Sequence, residues 1–219
     1  MYIFVTGTDT DVGKSYVSKG ICEELAKQKE TVAYLKPFQS GVVENVLSDA
    51  QNVAQSGNIV AKSSYITKTP STPLISAEID GVEFDLKKVK DDFNILKNEA
   101  ENVIVEGSGG IYVPVKKGVL MVDVIKYLNL PVLVVARPDL GTINHTLMTI
   151  DCLLNNDIKV LGTVISNFPD KTDDPVILRA KEMIEMYSDG IKVLSIVKKN
   201  QKDFSKLVSE INDSIMIKR

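Results

Sequence analysis

Tryptophan is absent from the 219 residues, histidine occurs once and cysteine twice. So few nitrogen and sulfur ligands cannot build the closed His/Cys sets that zinc takes, and no transition-metal site is expected. Cys22 and Cys152 each fall inside a helical pattern, which reads as two buried thiols rather than a secreted disulfide framework. Basic charge is not in excess: 26 Lys and Arg stand against 29 Asp and Glu, a net charge of −3. The basic footprint of a nucleic-acid binder is therefore missing. No apolar run reaches the roughly 18 residues of a membrane span. The start, Met1-Tyr2-Ile3-Phe4-Val5, carries no basic leader or cleavage site, so a cytoplasmic protein with no membrane or nucleic-acid partner is expected. What remains is ordinary globular composition, 44% hydrophobic and 25% charged. No repeat, linker or low-complexity tract divides the chain, and one domain over residues 1–219 is expected.

Short apolar runs alternate with helical spacing. Strands are expected at Tyr2–Val5, Val32–Leu35, Val103–Glu106, Val132–Ala136, Val160–Ser166 and Ile191–Ile196. Most are apolar at successive positions, as strands covered on both faces of a parallel sheet are. Helices are expected at Lys14–Gln28, Asp85–Ala100, Val122–Leu128, Ile143–Asn155, Asp174–Tyr187 and Ser205–Ile215. The alternation predicts an α/β fold of the P-loop NTPase type, an open parallel sheet with helices on both faces. Residues 36–85 read as a long loop with one short helix near Ser48–Gln55, because Pro70 and Pro73 sit so close together.

Gly7-Thr8-Asp9-Thr10-Asp11-Val12-Gly13-Lys14-Ser15 fits G-x-x-x-x-G-K-[ST], after an expected strand and opening an expected helix. Backbone N–H groups in such a loop wrap phosphate oxygens at a helix N-terminus. Lys14 then reaches the β- and γ-phosphates, and the Ser15 hydroxyl suits Mg²⁺. Asp9 and Asp11 put negative charge beside that site, and Asp9 can instead tie the loop's own backbone.

Further chemistry stands at the ends of later strands, where ligands of open parallel sheets bind. Val103-Ile104-Val105-Glu106 ends in an acid, then Gly107-Ser108-Gly109-Gly110; the carboxylate of Glu106 suits a Mg²⁺ ligand. Lys36 ends the second strand and gives a second cation for a transferring phosphoryl group. Asp49 is a further acid that can reach the same metal. Asn167, after the fifth strand, can read an adenine edge or open the turn before Pro169.

Together these segments resemble the dethiobiotin synthetase family. The opening run from Val5 to Ser15 is similar to that family's phosphate loop, with Ser15 where Thr is usual. Lys36-Pro37 with Ser40-Gly41, Ser48-Asp49-Ala50, Val105-Glu106-Gly107-Ser108-Gly109-Gly110 with Val113-Pro114, and Leu140-Gly141-Thr142-Ile143-Asn144-His145 follow in the family's order. The resemblance implies ATP-dependent carboxylation and ring closure of 7,8-diaminopelargonate with CO₂, through a carbamate and a carbamic-phosphoric anhydride. It implies Mg²⁺ on Ser15, Asp49 and Glu106, with Lys14, Lys36 and Thr10 catalytic. The nucleotide would meet Asp11, Val12, Gly13, Lys14, Ser15, Tyr16, Asp49, Glu106, Gly107, Ser108, Gly109 and Asn167. The diamine would meet Thr10, Lys36 and Ser40, and its carboxylate Gly141, Thr142 and Asn144 of a second subunit in a homodimer. Two stretches depart from the family: Leu194-Ser195-Ile196-Val197-Lys198-Lys199-Asn200 lacks the proline of its usual Gly-x-Ile-Pro, and Pro73-Leu74-Ile75-Ser76 lacks a histidine common after the proline. The alternative reading is a switch ATPase of the partitioning type, which binds a partner or membrane. That group carries an extra lysine early in the phosphate loop, where this chain has Gly7-Thr8-Asp9. A larger amidoligase would need a glutaminase domain, for which 219 residues leave no room.

Overall fold

The computed structural model describes residues 1–44 and 46–217. In chain order the elements are β1 (Tyr2–Gly7), α1 (Lys14–Lys27), β2 (Val32–Gln39), α2 (Asp49–Ala54), β3 (Ile59–Ile66), α3 (Pro73–Asp80), α4 (Leu86–Glu99) and β4 (Asn102–Gly110). There follow β5 (Pro114–Lys116), β6 (Val119–Leu120), α5 (Met121–Leu128), β7 (Val132–Ala136), α6 (Thr142–Asn155), β8 (Val160–Phe168), α7 (Pro175–Tyr187), β9 (Val193–Lys198) and α8 (Ser205–Met216). Seven strands pair in the order β3-β2-β4-β1-β7-β8-β9, every pair parallel. The short β5 and β6 form a separate antiparallel pair.

The apolar runs explain the layering. Side chains of a strand alternate in direction. Phe4, Val132 and Val134 join the core under α4 to α7, while Ile3, Val5, Leu133 and Val135 join the core under α1 and α8. A strand buried on both faces must be apolar at every position, which is why β1, β4, β7 and β8 were legible.

Residues 36–85 correct the loop expectation. They contain the rest of β2, α2, the edge strand β3 and the helix α3. Pro73, read as a breaker, occupies the first turn of α3, where its missing N–H costs nothing. β2 runs on through Pro37, because β2 pairs with β4 only as far as Leu35 and the register with β3 passes from Lys36 to Phe38. Strand order reverses about β1, which lies between β4 and β7. The carboxyl ends of these strands thus frame a crevice at the point where such sheets take ligands.

Candidate active site

Gly7 closes β1, and the loop from Thr8 to Gly13 delivers Lys14 to the first position of α1. Gly13 has φ 95° and packs directly on Ser166, leaving no space for a Cβ. The end of β8 can therefore close on the loop. Asp9 ties the loop's backbone, its Oδ1 accepting from the Thr10 N–H at 2.8 Å, and Arg137 lies 3.6 Å from its Oδ2. Lys14 is buried, and its Nζ donates to the Asp9 carbonyl at 2.9 Å. Burial and then the nearby Lys36 charge push its pKa down to about 8. Phosphate oxygens would relieve both.

Register brings the other charges together. Tyr34 of β2 pairs with Ile104 of β4, and two steps on in the same direction stand Lys36 and Glu106. Tyr34 and Ile104 face the α1 side of the sheet, so the period of two aims Lys36 and Glu106 there as well. The fully buried Glu106 accepts from Lys36 Nζ at 2.5 Å and Ser15 Oγ at 2.7 Å, both on Oε1, and from the Tyr34 hydroxyl at 2.8 Å on Oε2. Lys36 Nζ also meets Asp49 Oδ2 at 2.8 Å. Burial opposes charge on Lys36, but Glu106 and Asp49 outweigh it and raise its pKa. Burial, then Glu106 and Asp49, holds the Tyr34 phenol far above its usual range, so it remains a donor.

A cavity of about 520 Å³ joins these groups; Thr10, Asp11, Gly13, Lys14, Ser15, Tyr16, Lys36, Ser40, Asp49, Glu106, Ser108, Gly109 and Asn167 all line it. Some of these side chains are already engaged. Ser40 Oγ donates to the Ser71 carbonyl at 2.8 Å, Ser108 Oγ to Phe38, and the Tyr16 hydroxyl to the Gln201 carbonyl at 2.7 Å. Asn167, the last residue but one of β8, has φ 59°, a left-handed conformation that asparagine tolerates, and still faces the cavity.

Other expected residues lie elsewhere. Val12 buries its side chain in the core, leaving only its backbone for a ligand. Gly107 does not line the cavity and instead lets the Phe4 ring approach. Gly141, Thr142 and Asn144 stand at the start of α6, outside this cavity. Sequence reasoning missed Tyr34 and Gln39, whose Oε1 accepts from the Asp49 N–H at 3.1 Å. Tyr34 could have been found from the period of two, since it sits two residues before Lys36 on a strand.

The oxygens of Ser15, Asp49 and Glu106 are hard donors; Asp49 and Glu106 already hold a cation, the Lys36 ammonium, and Ser15 Oγ bonds the same Glu106 oxygen. That chemistry fits Mg²⁺. No cluster of three or more His, Cys, Asp or Glu is present among the described residues, so phosphate oxygens would complete the coordination.

A family model described as an AAA domain matches residues 2–203. The ATP-dependent dethiobiotin synthetase of Methanococcus vannielii is 41% identical over 92% of this chain and 95% of its own length. The chain belongs to the dethiobiotin synthetase family. The Methanocaldococcus jannaschii enzyme of the same name is 37% identical, over 94% of this chain and 99% of its own. Among solved structures, the cell division ATPase MinD of Pyrococcus furiosus superposes with TM-score 0.61 at 14% identity, over 97% of this chain and 98% of its own. At that identity the likeness is one of fold alone, and this chain has the P-loop α/β architecture. ATP-dependent enzymes of this P-loop class typically use Mg²⁺. Among the described residues no helix is long and apolar enough to cross a membrane.

Proposed function

We propose that this protein is an ATP-dependent cyclo-ligase that converts 7,8-diaminopelargonate and CO₂ to dethiobiotin, ADP and phosphate. Membership of the dethiobiotin synthetase family supports the substrate class. The observation that carries the mechanism is the convergence of Lys14, Lys36, Asp49 and Glu106 on one cavity above the phosphate loop. One amine of the diamine captures CO₂ as a carbamate. The carbamate oxygen attacks the γ-phosphorus and expels ADP, giving a carbamic-phosphoric anhydride. The second amine attacks the anhydride carbon, releases phosphate and closes the cyclic urea.

Lys14 holds the β- and γ-phosphates from its seat at the start of α1, and its charge is restored as they bind. Lys36 stabilises charge on the carbamate oxygen and the moving phosphoryl group. One such donor in a dry site is worth about 10²- to 10³-fold in rate. Thr10 and Ser40 orient the diamine, and Asp11, Val12, Gly13, Tyr16, Gly107, Ser108, Gly109 and Asn167 cradle the nucleotide. Ser15, Asp49 and Glu106 hold Mg²⁺, which supplies charge neutralisation on the phosphates when bound. Holding carbamate and phosphate in line supplies most of the rest. Gly141, Thr142 and Asn144 of a second copy receive the substrate's carboxylate at a helix N-terminus, in a cytoplasmic homodimer built from one domain per chain.

The test is phosphate release from MgATP with bicarbonate, with and without the diamine, and product mass from the same tube. Diamine-dependent release with formation of the cyclic urea is expected. Release that ignores the diamine would overturn the ligase reading in favour of a switch ATPase.

A further inference from the structure

Lys36 does not point freely into the cavity. Its ammonium is held by Asp49 Oδ2 at 2.8 Å and Glu106 Oε1 at 2.5 Å, and the same Oε1 is shared with Ser15 Oγ. Asp49, Glu106 and Ser15 are the oxygen ligands that the metal-nucleotide reading assigns to the divalent cation. The second Glu106 oxygen is taken by Tyr34, so the carboxylate cannot turn to serve lysine and metal on separate edges. Gln39 likewise anchors the backbone of Asp49.

We propose that Lys36 is an internal plug of the metal seat: ammonium and divalent cation are mutually exclusive occupants of the Asp49–Glu106 oxygens. This rests on the metal-nucleotide reading above and adds an order of events. Lys36 gives up the carboxylates only to a cation that arrives with a triphosphate, whose oxygens complete the coordination. The released ammonium then has the cavity lined by Thr10, Lys14 and Ser40 to enter, where the reacting oxygens would lie. Loading of nucleotide and delivery of Lys36 are thereby one equilibrium. If Lys36 leaves its seat in about a tenth of the molecules, metal affinity without nucleotide falls about tenfold. Coupling is reciprocal, so whatever empties the seat of lysine strengthens metal binding there.

The test is Mn²⁺ binding, read from the electron paramagnetic resonance signal of free Mn²⁺, to the full-length protein with and without a non-hydrolysable ATP analogue. Lys36→Met removes the plug, and Lys36→Arg keeps a cation in it. Without nucleotide, Lys36→Met should bind Mn²⁺ about tenfold tighter than the wild type and Lys36→Arg should not. With the analogue, wild type and Lys36→Met should converge. Equal binding of wild type and Lys36→Met without nucleotide would overturn the plug while leaving the metal site intact. No Mn²⁺ binding by wild type even with the analogue would overturn the metal-nucleotide reading itself. A measurement on the wild type alone avoids dependence on variant folding. In ¹⁵N-lysine spectra, one slowly exchanging ammonium signal should persist when metal is added alone at concentrations well below its nucleotide-free dissociation constant, and be lost or shifted when metal and nucleotide are added together. No shift when metal and nucleotide are both present would refute the plug.

Discussion

Two ion-pair clusters in this molecule use the same residue types to opposite ends. On the outer flank, Asp92 of α4 joins Lys62 of β3 at 2.6 Å and Lys88 at 2.8 Å. Both lysine side chains remain 40–45% exposed, so only the carboxylate is withdrawn from water. In the cavity, Lys36 and Glu106 are 7% and 0% exposed, and neither can turn to solvent. The first cluster ties a helix to an edge strand. The second holds charge in a place where solvation is lost, which stability alone does not favour. That is the signature of a site maintained for its chemistry rather than for folding.

The contrast can be broken by substitution. Lys36→Met should lower diamine-dependent turnover by about 10³-fold, with the loss in kcat rather than in KM for ATP. Near-normal kcat would mean that the buried lysine is structural after all. Glu106→Gln leaves a buried ammonium short of its main counter-charge and should cost about 3–5 kcal/mol in urea unfolding. Lys14 gives a pH-dependent contrast. Its pKa falls from 10.5 to about 8 on folding, chiefly by burial, so its charge destabilises the ligand-free protein below pH 8 and ceases to as pH rises towards 10.5. Lys14→Met should then raise stability by on the order of 3 kcal/mol at pH 7, an advantage that shrinks across that window, while ATP binding is lost. Thermal unfolding at several pH values, with calorimetric titration of ATP, measures both. Asp92→Asn should cost only about 1–2 kcal/mol in urea unfolding, because its two lysines can turn to water. The solvent-exposed pair Lys87–Asp91 sets the lower end: Lys87→Ala should leave the urea midpoint unchanged within the error of the measurement.

What could be read in advance divides along the same line of burial. The runs 2–5, 103–106, 132–136 and 160–166 are continuous in Val, Ile and Leu because both of their faces are covered. β3 is not, and was missed. Its Val60 and Ile66 are about half exposed, and Lys62, Ser63 and Ser64 interrupt its pattern, as befits an edge strand covered on few sides. The phosphate loop was legible because its chemistry is contiguous in the chain. The packing of Gly107 was not legible, because a glycine next to a site acid looks the same whether its missing side chain makes room for a ligand or, as here, for the ring of Phe4.

The sequence by itself determined the alternation of strand and helix, the phosphate loop and the identities of Lys36, Asp49 and Glu106. Hydrophobic periodicity and motif spacing are local properties. Only the tertiary structure decided that Tyr34 and Lys36 share an edge with Glu106, some 70 residues away. That depends on β4 inserting between β1 and β2, and no local pattern encodes which strands become neighbours.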